Sequence, residues 1–146
     1  ANRRQSQMCI RDSNNGIGLA AVQVGVLRRM IVIDVSKKDE EKKPLCLINP
    51  SIKSFCKDRS TYEEGCLSIP ETFIEIERPK TCIVEYVDIS GNKTNMECDG
   101  LLSTCVQHEI NHLDGKLIID FLSKLKKDIL IKKLSKNKNT SNRVIV

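Results

Sequence analysis

Both histidines of this chain fall inside one short stretch, Gln107-His108-Glu109-Ile110-Asn111-His112, and that stretch constrains the fold more than any other feature. The run reads as helix. At roughly 3.6 residues per turn a four-residue step is about 400°, so the two imidazoles share one face and can grip one metal ion. Glu109 projects from the same helix, placed to take a proton from metal-bound water, which is the mechanical meaning of H-E-x-x-H. An ordinary amphipathic helix with two polar histidines is the plain alternative. It leaves unexplained why both histidines of a His-poor chain stand at ligand spacing.

Two protein ligands make a weak site, and hydrolytic zinc and iron centres generally use three, with a fourth position for water. The familiar downstream solutions fail here. The pattern His-Glu-x-x-His-x-x-Gly continues to Gly115, but the place for a third histidine holds Ile118. No glutamate follows Glu109, and the late carboxylates are Asp114, Asp120 and Asp128. An upstream ligand is therefore expected, and the cysteines supply two candidates. Cys105 lies on the motif helix but seven residues, or roughly 10.5 Å of rise, from His112, so it is read as packing near the site. Cys66 lies in Glu63-Glu64-Gly65-Cys66-Leu67-Ser68-Ile69-Pro70, read as an irregular loop that can bring a thiolate to a helix face.

Seven cysteines occur, none as C-x-x-C, which argues against a zinc ribbon or a thioredoxin-type redox pair. With no long apolar run and no signal peptide, reduced thiols in a cytoplasmic chain away from membranes fit better than a disulfide framework. Most of Cys9, Cys46, Cys56, Cys82 and Cys98 are then expected as small apolar residues of core or strand.

Around the motif the chain reads as α+β, one small domain over 1–146, with antiparallel sheets around a central metal-binding helix and a C-terminal helix. Strands are expected at 30–35, 45–48, 73–77 and 81–87, with a hairpin turn at 88–92 and a return at 93–98. The motif helix runs about fourteen residues between Gly100 and the capping Gly115, and 36–44 is a charged surface loop. At 40% hydrophobic but 3% aromatic content, the core must be mainly aliphatic. From Leu122 onward seven lysines and Arg143 face the one acid Asp128, against a net charge of +5 for the whole chain. Leu125, Ile129, Leu130 and Leu134 recur at helical spacing there, giving one apolar stripe and a basic outer face; 136–146 is a basic tail.

Three motifs, in order, resemble the peptide deformylase family, bacterial and organellar enzymes that remove the N-formyl group from nascent polypeptides. They are Gly16-Ile17-Gly18-Leu19-Ala20-Ala21-Val22-Gln23, Glu64-Gly65-Cys66-Leu67-Ser68 and Gln107-His108-Glu109-Ile110-Asn111-His112-Leu113. Arg78-Pro79 and Gly100-Leu101-Leu102 agree as well. Val22 stands where the family often has proline, and Asn111 where it often has aspartate. Residues 1–13 read as a truncated or foreign leader.

The resemblance implies a site. Cys66, His108 and His112 hold one divalent metal, Fe2+ in the cell, with Zn2+, Ni2+ or Co2+ able to substitute. Metal-bound water attacks the formyl carbon of an N-formylmethionyl nascent peptide, with Glu109 as general base and then acid. Gln23 and the Leu67 backbone N–H stabilise the charge on the formyl oxygen. Gly18 lets the peptide approach as an added strand, Ile17, Leu101 and Cys105 wall the methionine pocket, and Glu64 and Gly65 also lie on the substrate side. The C-terminal helix is a candidate surface for ribosomal RNA. Two other classes stay open: a cysteine hydrolase with Cys66 as nucleophile, which a chelator would not silence, and a binding module with a structural metal, which would have no use for Glu109.

Overall fold

The computed structural model describes residues 17–37, 39–66 and 69–140. Among these residues seven strands, with a 3-10 turn at Ala21–Val24 after the first, precede the two α-helices. Strands β1 (Gly18–Ala20), β2 (Met30–Ile33), β3 (Leu45–Phe55), β6 (Thr81–Val87) and β7 (Lys93–Asp99) form one antiparallel sheet in the order β1-β2-β3-β6-β7. Strands β4 (Arg59–Cys66) and β5 (Ile69–Pro79) form a separate antiparallel pair. Helix α1 (Gly100–Leu113) lies against β1, β2, β6 and β7 of the large sheet and against β5 of the small one. A 3-10 turn at Ile118–Phe121 leads into helix α2 (Lys124–Thr140).

Local chemistry sets the ends of α1. The Asp99 carboxylate accepts from the Gly100 N–H at 2.7 Å, capping the first turn. After Leu113 the backbone turns through Gly115 at φ +77°, a left-handed value that suits glycine, and its N–H returns to the His112 carbonyl. The motif helix falls where expected, as do β6 and the 88–92 turn, and α2 runs on to Thr140, into the stretch read as a basic tail from 136.

Strand β2 stops at Ile33, two residues short of the expected 30–35, β1 has no counterpart among the expected strands, and β3, β5 and β7 run longer than their apolar patterns. β3 continues past Ile48 through Asn49 (φ +50°) and Pro50, with register shifts on either side of Ser51 and Ile52. Proline is tolerated there because β2 pairs only as far as Ile48, so the missing N–H breaks no bond on that side. The reading of 63–70 as an irregular loop is corrected: Glu63 to Cys66 belong to β4, and β5 begins at Ile69. In β4 only Glu64 and Cys66 are buried, so no apolar alternation announces it.

The large core joins Ala20, Ile31, Ile33, Leu47, Val84, Val106 and Ile110 with Cys82, Cys98 and Cys105. It is aliphatic, with thiols as small fillers. Cys46 is buried too, but Cys56 departs from expectation: partly exposed, its sulfur accepts from the Thr81 N–H at 3.1 Å, and Cys9 lies outside the described residues. A second cluster of Cys66, Ile69, Ile74, Ile76 and Ile118 receives Leu130 and Leu134 from α2. The expected stripe on α2 is thus half used, because Leu125 and Ile129 remain 71% and 59% exposed. Among the described residues no helix is long and apolar enough to cross a membrane. The 1–13 leader and 141–146 lie outside the described residues.

Candidate metal and active site

Two elements converge on one point. The middle of α1 brings His108 and His112, and the last residue of β4 brings Cys66, all buried. Their ligand atoms lie within 4.8 Å of one another. The two histidine Nε2 atoms are 3.1 Å apart, and the Cys66 sulfur is 3.1 Å from His112 Nε2. Two imidazole nitrogens aimed at each other beside a sulfur are a donor set that a shared cation would satisfy. Imidazole with thiolate suits zinc, iron, cobalt or nickel rather than calcium or magnesium. The cluster leaves out Cys105.

Behind His108 stands a buried ion pair. Glu64 Oε1 lies 2.9 Å from His108 Nδ1, and Arg78 grips the same carboxylate with Nε at 2.7 Å and Nη2 at 2.9 Å. Arg78 Nη1 also donates to Asn111 Oδ1 at 2.7 Å. A carboxylate on the far nitrogen fixes the tautomer and the ring orientation of a histidine ligand. Burial would raise the Glu64 pKa, but hydrogen bonds from His108 and Arg78 outweigh it and hold the carboxyl below its usual range. Burial likewise opposes a proton on His108, yet its contacts with Cys66 and Glu64 and the nearby Glu109 charge push its pKa up to about 9. Both Glu64 oxygens are thus engaged, by Arg78 and by His108.

Glu109 lies on the next flank of α1, 4% exposed, and its Oε2 has no hydrogen-bond partner. Burial raises its pKa to about 7 against the opposing pull of His108 and His112. Gly18 of β1 sits directly over this carboxylate: a Cβ built there would fall 2.7 Å from Glu109 Oε1 and 2.8 Å from Cys105 Sγ. Only glycine allows that approach. β1 is the edge strand of its sheet, so its outer edge has no strand partner among the described residues. Gln23, in the 3-10 turn Ala21–Val24, accepts from the Ala20 N–H at 2.8 Å and turns its amide nitrogen to within 3.7 Å of the Cys66 sulfur.

Of the other expected residues, Ile17 and Leu101 are 39% and 46% exposed, whereas Cys105 is 4% exposed and belongs to the core. The Phe73 ring covers one face of Gly65, 2.8 Å from where a Cβ would stand. Leu67 lies outside the described residues. Arg78 is the residue whose part in the site the motif reading missed; its only signal was the Arg78-Pro79 pair.

Comparison with known proteins agrees with this geometry. The family model described as polypeptide deformylase matches residues 5–128. The chain belongs to the polypeptide deformylase family. A peptide deformylase of Pelagibacter ubique is 57% identical over 131 residues, covering 90% of this chain and 75% of the relative. The crystal structure of peptide deformylase from Ehrlichia chaffeensis superposes with a TM-score of 0.88 at 37% identity, over 95% of this chain and 83% of that one. A Met-Ala-Ser-bound class I type b peptide deformylase from Acinetobacter baumannii gives 0.78 at 28% identity, over 83% and 79% of the two chains. As a polypeptide deformylase, the chain is a metallohydrolase that acts on a linear amide. The Asn111 departure has a structural counterpart, since the amide oxygen still accepts from Arg78 where aspartate would add a charge.

Proposed function

We propose that this protein removes the formyl group from the N-terminal formylmethionine of newly made polypeptides, with Glu109 moving the protons. The observation that carries the proposal is the convergence of Cys66, His108 and His112 beside a buried, partly unpartnered Glu109, next to the open edge of β1. A divalent ion held by the three ligands supplies Lewis acidity, lowering the pKa of a water toward neutrality and polarising the formyl carbonyl.

The chain's own residues do the rest. Gly18 and the β1 edge accept the peptide as an added strand, which aligns its formyl end with the ligands. Glu109 takes the proton of the attacking water and passes it to the departing amine, and a pKa of about 7 suits a group that must accept and then donate near neutrality. The Gln23 amide N–H, aimed toward the Cys66 sulfur, donates to the oxygen on which charge develops. By family resemblance the Leu67 backbone N–H is its partner. Ile17, Leu101 and Cys105 border the methionine side chain. The Acinetobacter relative with Met-Ala-Ser bound supports a methionyl peptide as the released product.

Ferrous iron is the proposed ion in the cell, with zinc, nickel or cobalt able to replace it, because the thiolate-imidazole set accepts all four. The proposed setting is the cytoplasm, where nascent chains emerge, and the basic face of α2 is the proposed contact with ribosomal RNA. The test is formate release from formyl-Met-Ala-Ser by protein reconstituted anaerobically with ferrous iron. Stoichiometric metal without formate would overturn the proposal and favour a binding module.

A further inference from the structure

Cys82 and Cys98 stand directly opposite one another on β6 and β7, one pair in from the open end of that hairpin. Both belong to the large core, at 2% and 0% exposed. Opposite residues of an antiparallel pair share a face and hold their Cα atoms about 4.5 or 5.5 Å apart. A disulfide spans Cα separations of about 4.4–6.8 Å, so either spacing lets the two sulfurs bond with the backbone in place. The two thiols hydrogen-bond to one another. The chemistry at the metal ligands uses neither.

The pair sits at the foot of the ligand-bearing helix. Cys98 is followed by Asp99, whose carboxylate caps α1, and the Cys82 sulfur accepts from Ser103 Oγ at 3.6 Å. Ser103 in turn accepts from Gln107, the residue before His108. The two sulfurs are not equivalent. The hydrogen bond with Cys98 first, then those with Ser103 and Gln107, bring the Cys82 thiol down to about 7 against the effect of burial. The same bond and burial push Cys98 up, so Cys82 is the nucleophile of the two. Access comes from the hairpin end. β7 is the edge strand of its sheet, paired among the described residues with β6 alone, and the ends of such strands open locally.

We infer that Cys82 and Cys98 form a redox-sensitive switch, closing to a cross-strand disulfide under hydrogen peroxide and reopening with a thiol reductant. The Cys82 thiolate attacks one peroxide oxygen, the O–O bond breaks and hydroxide leaves, giving the Cys82 sulfenic acid. The Cys98 sulfur then displaces the sulfenic oxygen, which departs with the Cys98 proton as water. The two thiols give up two electrons and two protons, and one peroxide becomes two waters. Two equivalents of a small thiol reverse the step by exchange and leave as their own disulfide. Closed, the bond ties β6 to the residue that precedes the α1 cap, fastening the hairpin end to the start of the helix.

The test uses the full chain loaded with zinc, which engages Cys66 and brings no iron to react with peroxide. After a mild peroxide pulse and alkylation in denaturant, peptide mapping should find Cys82 joined to Cys98, with the buried Cys46 and Cys105 still free. The oxidised protein should melt about 5–10 °C higher than the reduced one, because the bond restricts the unfolded chain. Dithiothreitol should restore the original Tm. Cys98→Ser should abolish both the bond and the shift, and the wild-type mapping stands whether or not that variant folds. Recovery of Cys82 and Cys98 as free thiols at peroxide doses that oxidise the partly exposed Cys56 would overturn the inference. A disulfide that left Tm unchanged would overturn it as well.

Discussion

Glu109 must take a proton and then give it away, and its burial is what allows one carboxyl to do both. An exposed glutamate near pH 4.5 would make a poor acid at neutrality, whereas at about 7 the two protonation states are close in energy. Glu109→Gln should therefore keep the fold and the metal but lose about 10²–10⁴-fold in turnover. Formate release at near wild-type rate by the metal-loaded variant would deprive Glu109 of its role. The ligands answer to a different measurement. Cys66→Ala, His108→Ala and His112→Ala should each lower metal content by elemental analysis, and Cys105→Ala should stay near stoichiometric, since its sulfur packs on Gly18 rather than among the ligands. Metal lost from Cys105→Ala but retained in Cys66→Ala would reverse the assignment.

The β4–β5 pair reaches α1 through the Glu64–Arg78 ion pair, and its cost and benefit are felt between elements. Arg78 is 4% exposed, so Arg78→Met would leave the Glu64 charge buried with His108 as its remaining partner. Breaking such a pair costs about 3–5 kcal/mol, and urea denaturation should show it, with Arg78→Met/Glu64→Gln recovering part. The sign of the pH dependence follows from the lowered pKa of Glu64. Its contribution is present above the unfolded value near 4.5 and is lost as pH falls through the lower folded value. The acid limb of the wild-type stability curve should therefore be steeper than that of Glu64→Gln; superimposable acid limbs would exclude Glu64 from it. Not all of this was legible in the sequence. α1 was, because its ligand spacing, Gly100 and Gly115 are all local signals. Cys66 was found by elimination and by the three ordered motifs. The Glu64–Arg78 link was not, since a strand pairing brings together residues fourteen apart, and neither was β4, whose outward residues are polar on both sides of Tyr62.

Across the whole molecule, the second cluster decides how the basic end can be tested. Helical periodicity marks Leu125, Ile129, Leu130 and Leu134 alike, yet only the last two meet a surface, so α2 is anchored along one part of its stripe. Cutting the chain at Lys132 would remove Leu134 from that cluster and confuse lost binding with lost packing. The exposed lysines offer a cleaner test. Lys127 is engaged with Asp120 at 2.6 Å, whereas Lys124, Lys126, Lys132 and Lys133 are exposed. Phosphate contacts by such groups release counterions, so the affinity they supply falls steeply with salt. Changing these four to glutamine should weaken co-sedimentation with ribosomes at low salt and flatten its salt dependence. Hydrolysis of short formyl peptides should stay within about twofold, because these lysines are exposed to solvent and salt, which screen their charge. Equal co-sedimentation of the quadruple variant and the wild type would show that the lysine face serves solubility rather than RNA.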